Sequence, residues 1–193
     1  HGFNEYAGVF RLPAPWFAER GISTYAYDQR GFGRTSPDRR GRWAGGDVMA
    51  EDLSGFAGQV RARHPGLPVY VLGTSMGGAV AMKAAASGKL DADGLILVAP
   101  AIWGWRSMNP ILKTALWVTA HTVPDKSASG SQLEIWPSDN IDWLKAYSRD
   151  PQIIKQSRFD TLYGLVSLMD DAADAAPGLG LPALYLYGKK DEV

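Results

Sequence analysis

Short apolar runs and longer periodic stretches alternate along this chain. "GISTYAYD", Gly21 to Asp28, is β-branched and aromatic and ends on a polar residue, which predicts a strand. Between Val48 and Arg63 the apolar residues Met49, Leu53, Phe56 and Val60 recur at helical spacing, and His64-Pro65-Gly66 ends the pattern. "PVYVLG", Pro68 to Gly73, is a short apolar run that predicts a buried strand. The alanine-rich stretch Met76 to Ser87 predicts a helix stopped by Gly88. "GLILVAP", Gly94 to Pro100, predicts another buried strand, and so does "LPALYLYG", Leu181 to Gly188. A shorter helix is expected over Pro13 to Arg20, with Trp16 and Phe17 as its apolar face.

Strands alternating with helices are the signature of an α/β protein, a mostly parallel sheet with helices on both faces. The alternation stops at Ala101. As far as about Ala176 no clear strand is expected, only helical patches such as Ile111 to Ala120 and Asn140 to Tyr147. Five of the seven tryptophans fall here: Trp103, Trp105, Trp117, Trp136 and Trp143. The expected organisation is a core over 1–100, a helical insertion over 101–176 and a return to the core over 177–193.

Composition narrows the chemistry. The 193 residues suffice for one domain with a sizeable core. Lys plus Arg and Asp plus Glu number 20 each, so charge gives no reason to expect nucleic acid as a partner. The absence of cysteine excludes disulfides and thiolate metal sites and fits a cytoplasmic location. No apolar run approaches the roughly 18 residues of a membrane span. The opening "HGFNEYAG" has neither the basic start nor the apolar stretch of a signal peptide, and lacks an initiator Met.

Gly73-Thr74-Ser75-Met76-Gly77 matches G-x-S-x-G between a predicted strand and a predicted helix. A serine nucleophile at such a corner sits in strained backbone, and small residues two before and two after let strand and helix approach. Gly78 and Ala79 extend that smallness into the helix. Ser75 would stand at the helix N-terminus, where the dipole favours developing negative charge. A glycine-rich turn is the bland alternative. Gly31-Phe32-Gly33 is no dinucleotide fingerprint, because the third glycine position holds Ser36. The five arginines from Arg30 to Arg42 read as a solvated loop face beside Asp28, Asp38 and Asp47.

With these motifs in order the chain resembles the monoglyceride lipase and lysophospholipase group of α/β-hydrolases, which shades into serine aminopeptidases. The matching pieces are His1-Gly2, the run Asp28 to Thr35, Gly73 to Gly78, Tyr147 to Ile153, and Gly188 to Asp191. The resemblance implies Ser75 as nucleophile, Asp191 as the acid that orients the base, and backbone N–H groups of Phe3 and Met76 as the oxyanion hole. His1, Gly2, Gly73, Gly77 and Gly78 are then structural members of the motifs, and no metal or organic cofactor is implied. On residue type alone the expectation for Asp191 is a solvated charge among Lys189, Lys190 and Glu192.

The base is the missing member. In this architecture the order is Ser, Asp, His. His1 precedes the serine and belongs to the oxyanion loop. His64 lies at the far end of a strand that spans about 20 Å, and His121 lies in the insertion. The base is therefore expected outside this chain, which reads as the middle of a longer hydrolase cut at both ends.

The insertion would form a cap, and its Trp, Ile and Leu content suits either an acyl-chain tunnel or a small core of its own. The expected substrate is an ester of one acyl chain, a monoacylglycerol or lysophospholipid, with transient membrane-surface contact through Ile111, Leu112, Ala115 and Leu116. Small-ester carboxylesterases and aminopeptidases use the same triad; Glu134, Asp139 and Asp142 are available to hold a substrate amine. A non-catalytic binding relative of the same fold is the reading from another class.

Overall fold

The computed structural model describes residues 1–35, 37–129 and 138–189. Its main sheet has three parallel strands in the order β1 (Tyr70–Thr74), β2 (Gly94–Val98), β5 (Ala183–Leu186), with Val71 opposite Leu95 and Leu95 opposite Ala183. The helices are α1 (Pro13–Ala18), α2 (Gly46–Arg63), α3 (Met76–Ala86), α4 (Pro110–Thr122), α5 (Ile141–Arg149) and α6 (Phe159–Ala175). The expected α/β architecture is present, a parallel sheet packed against helices.

Apart from Lys83, helix α3 is apolar, as a helix buried over most of its surface must be. Ala79, Val80, Ala81 and Met82 have lost nearly all contact with solvent. It packs against both α2 and α6, which barely touch each other. Met49, Leu53 and Ala57 of α2, Leu95 and Leu97 of β2, and Leu165, Leu168 and Ala172 of α6 complete the core. Lys83, near the end of α3, gathers the three helices at their rim: its ammonium lies 3.0 Å from Asp47 of α2 and 2.8 Å from Asp171 of α6.

Two expectations about strands are corrected. Gly21 to Asp28 forms no ladder with any described segment. β-type composition suits a pleated surface, but a strand exists only with a partner. What fixes the stretch is side chains: Tyr27 lies 4.6 Å from the Phe56 ring, the Tyr25 hydroxyl meets His64 Nε2 at 2.8 Å, and Asp28 accepts N–H bonds from Ala7 and Arg34. Conversely, the span 101–176 does hold strands, β3 (Ser127–Ser129) and β4 (Gln156–Arg158), paired antiparallel. Three residues of Ser, Ala, Gln and Arg offer no apolar alternation to read. Within the same span, α6 packs on α3, and α4 packs on α6, where Trp105 Nε1 donates to Ser167 Oγ at 3.0 Å.

Candidate active site

Ser75 stands between β1 and α3 with φ +50° and ψ −118°, left-handed backbone that a non-glycine residue adopts only at a cost of about 1–3 kcal/mol. Surrounding bonds enforce it. The Ser75 N–H donates to Val98 O at 3.0 Å, continuing the sheet, while its carbonyl accepts from Gly78, Ala79 and Ala101. The hydroxyl makes no capping bond to the helix. Half-buried Ser75 thus presents its Oγ where strand ends and helix begins. Met76, fully buried, is the first residue of α3, so its N–H is one of the four that a helix leaves without an internal acceptor.

The glycines admit close backbone approach at three points. A Cβ on Gly73 would meet Gly77 O at 2.5 Å, one on Gly77 would meet His1 O at 2.8 Å, and one on Gly78 would meet Pro100 Cβ at 2.8 Å. The Gly77 contact is with the chain's opening loop, which lies directly against the corner. A Cβ on Gly2 would stand 3.6 Å from Ser75 Cβ. The structure therefore brings together Ser75, Met76, His1 and Gly2, and Phe3 follows as the next residue along the loop.

His1 is buried and committed. Its Nε2 accepts from the Gln29 N–H at 2.9 Å, and Nδ1 lies 2.9 Å from Gly2 O, an arrangement that fits the neutral Nδ1–H tautomer. The rings of His1 and Phe3 both meet Phe32 edge-on. Gln29 Nε2 donates back to His1 O, tying the loop to the turn that follows Asp28. The other two histidines are engaged elsewhere: His64 with Tyr25, and His121 with Trp117 O and the stacked Trp117 ring. Asp191 lies outside the described residues, as do Lys190, Glu134 and Trp136. Among the described residues no group of three His, Asp or Glu side chains converges as a metal site would require.

Motif reasoning passed over Asn4 and Glu5, and gave Tyr147 a place in the resemblance but no role. The Gly2 N–H donates to Glu5 Oε2 at 2.7 Å, and the Tyr147 hydroxyl lies close to the same carboxyl. Burial pushes the Glu5 carboxyl above the usual range, against the bond from Gly2 and the partnership with Tyr147, which favour its charged form. Burial likewise raises the Tyr147 phenol, and the Glu5 charge adds to the shift. Asn4 has φ +64°. The signal available in "HGFNEYAG" was a polar Asn-Glu pair in a loop otherwise destined for burial, with Asn the side chain that best tolerates left-handed backbone. A cavity of about 430 Å³ is lined by Trp105, Lys113, Thr114, Trp117 and Tyr163.

Comparison with known proteins places this geometry in a family. The model of the family described as serine aminopeptidase, S33, matches residues 1–193. The chain is 29% identical to a monoacylglycerol lipase of Mycolicibacterium smegmatis, covering all of this chain and 69% of that protein. It is 27% identical to the human monoglyceride lipase, covering all of this chain and 64% of the relative's length. The chain thus spans about two thirds of the relatives it matches. Among solved structures, a soluble variant of the Saccharomyces cerevisiae monoglyceride lipase in complex with a substrate analogue superposes with a TM-score of 0.79, at 21% identity, over 99% of this chain and 67% of that one. The Paleococcus ferrophilus monoacylglycerol lipase gives 0.78, at 21% identity, over 97% and 70%. With the elbow at Ser75 and a family match running from the first residue to the last, the chain belongs to the serine aminopeptidase S33 family of α/β-hydrolases.

Proposed function

We propose that this chain carries the nucleophile and oxyanion hole of a serine hydrolase acting on esters of a single acyl chain, a monoacylglycerol or lysophospholipid. The observation that carries the reading is the strained corner at Ser75 with Gly2 packed against it. Ser75 Oγ attacks the ester carbonyl, and the N–H groups of Phe3 and Met76 receive the developing oxyanion. The alcohol departs, and water then releases the acyl group from Ser75. Asp191 orients the base, a histidine outside residues 1–193, since the three within are paired elsewhere. The similarity to monoacylglycerol lipases supports the substrate class. The aromatic cavity beside α4 supports an acyl-chain site, and the outward side chains of Ile111 and Leu112 support contact with a lipid surface.

The test is labelling of the full-length protein with a serine-directed phosphonate, followed by a panel of chromogenic acyl esters and aminoacyl amides. Labelling of wild type and its loss in Ser75→Ala are expected, with kcat falling about a million-fold. Wild type that stays unlabelled would mark a non-catalytic relative. Best turnover of aminoacyl amides would replace the lipase reading with an aminopeptidase one; esters turned over only when the acyl chain is short would replace it with a carboxylesterase one.

A further inference from the structure

The loop bearing Gly2 and Phe3 is fastened on its outer side by one continuous stretch of the insertion, residues 147–157. Tyr147 lies close to Glu5, and the Tyr6 hydroxyl donates to Asp150 Oδ2 at 2.8 Å. The Ile154 N–H donates to Asn4 O at 3.0 Å, and Asn4 Nδ2 donates to Ser157 Oγ at 2.8 Å. Asn4 is therefore gripped at its carbonyl and its side chain together. Ser157 is itself held in β4, opposite Ala128 of β3.

Phe3 lies between two fixed points: Gly2, whose N–H is bound to Glu5, and Asn4, bound to residues 154 and 157. Peptide planes are rigid, so a single residue between two anchored neighbours has little freedom to turn its own N–H. Asn4 also holds φ +64°, left-handed backbone that Asn accommodates more readily than other side chains, so its amide can serve the bond to Ser157 without backbone strain.

We infer that Asn4 is a positioning residue for the oxyanion hole, through which the 147–157 segment of the insertion aims the Phe3 N–H. The inference rests on the serine-hydrolase reading of Ser75. It makes the seat of the insertion and the competence of the oxyanion hole one coupled property.

The experiment uses the full-length protein and four variants: Asn4→Gly, which tolerates the backbone but lacks the amide, Ser157→Ala, which removes the same bond from the far side, the double variant, and Ser157→Thr. Kinetics on a chromogenic ester are paired with inhibition by a trifluoromethyl ketone, whose adduct places an oxyanion in the hole. Each single variant is expected to lose about 5–20-fold in kcat with KM within about twofold, part of the loss seen when a whole donor is removed. Ketone affinity should fall in step with kcat/KM. The double variant should be no worse than the poorer single, and Ser157→Thr should restore kcat to within about twofold. A purely structural role would lower the melting temperature and leave kcat of the folded fraction intact. That result overturns the inference, as do losses that multiply in the double variant or a rise in KM alone. Active wild type with unaffected variants defeats this inference only; inactive wild type defeats the serine-hydrolase reading, and this one with it.

Discussion

A Cβ on Gly73 would stand 2.5 Å from the Gly77 carbonyl oxygen and 2.7 Å from Gly78 Cα, backbone atoms with nowhere to swing. Gly73→Ala is expected to cost about 1–3 kcal/mol by overpacking and to slow phosphonate labelling, both read against wild type. Gly55, exposed in α2 with nothing within 4 Å of an added Cβ, is the matched control. There Ala should stabilise by up to about 1 kcal/mol through helix propensity, and denaturant midpoints separate the two outcomes. At this scale the serine and its glycines were legible because G-x-S-x-G states a backbone requirement in residue types. Asn4 was not legible, because its partners Ile154 and Ser157 lie some 150 positions along the chain, and no local pattern encodes a bond across such a distance.

Elements were readable where one face or all faces are apolar. Helices α2 and α3 and strands β1 and β2 fall within a few residues of their predicted ends, since periodicity records burial directly. The short ladder β3–β4 is polar and left no trace in the pattern. Gly21 to Asp28 failed for the opposite reason: its composition is that of a strand, but pairing is a property of two segments and composition belongs to one. Helix α6 illustrates what packing adds to pattern, since it sits at the end of a span read as insertion and yet buries Leu165, Leu168 and Ala172 against the core. Leu168→Ala is expected to destabilise the whole domain by about 2–5 kcal/mol, because the side chain is almost wholly enclosed and its neighbours across α3 cannot collapse into the space. A single cooperative unfolding transition at a lower denaturant midpoint would bear this out; a midpoint like that of wild type would show α6 to be only loosely attached.

Taken whole, the 193 residues carry no net formal charge, so overall charge supplies no attraction to a lipid surface. Ile111 and Leu112, 78% and 58% exposed on α4, are the side chains placed to supply it. No described helix is long and apolar enough to cross a membrane. The double substitution Ile111→Asp, Leu112→Asp should weaken co-sedimentation of the full-length protein with phosphatidylcholine vesicles by about tenfold or more. Turnover of a soluble short-chain ester should be unchanged, and wild-type binding should be insensitive to salt. Vesicle binding that survives the substitution would place the contact elsewhere.

The φ of +50° at Ser75 carries a consequence for how such a chain can change over time. A glycine at that corner would relieve the backbone at no steric cost, so the hardiest version of this fold is one without its hydroxyl. Any campaign that rewards only resistance to heat is therefore pulled toward silence at residue 75. On the proposed reading of Ser75 as nucleophile, the serine persists only where something downstream counts its products.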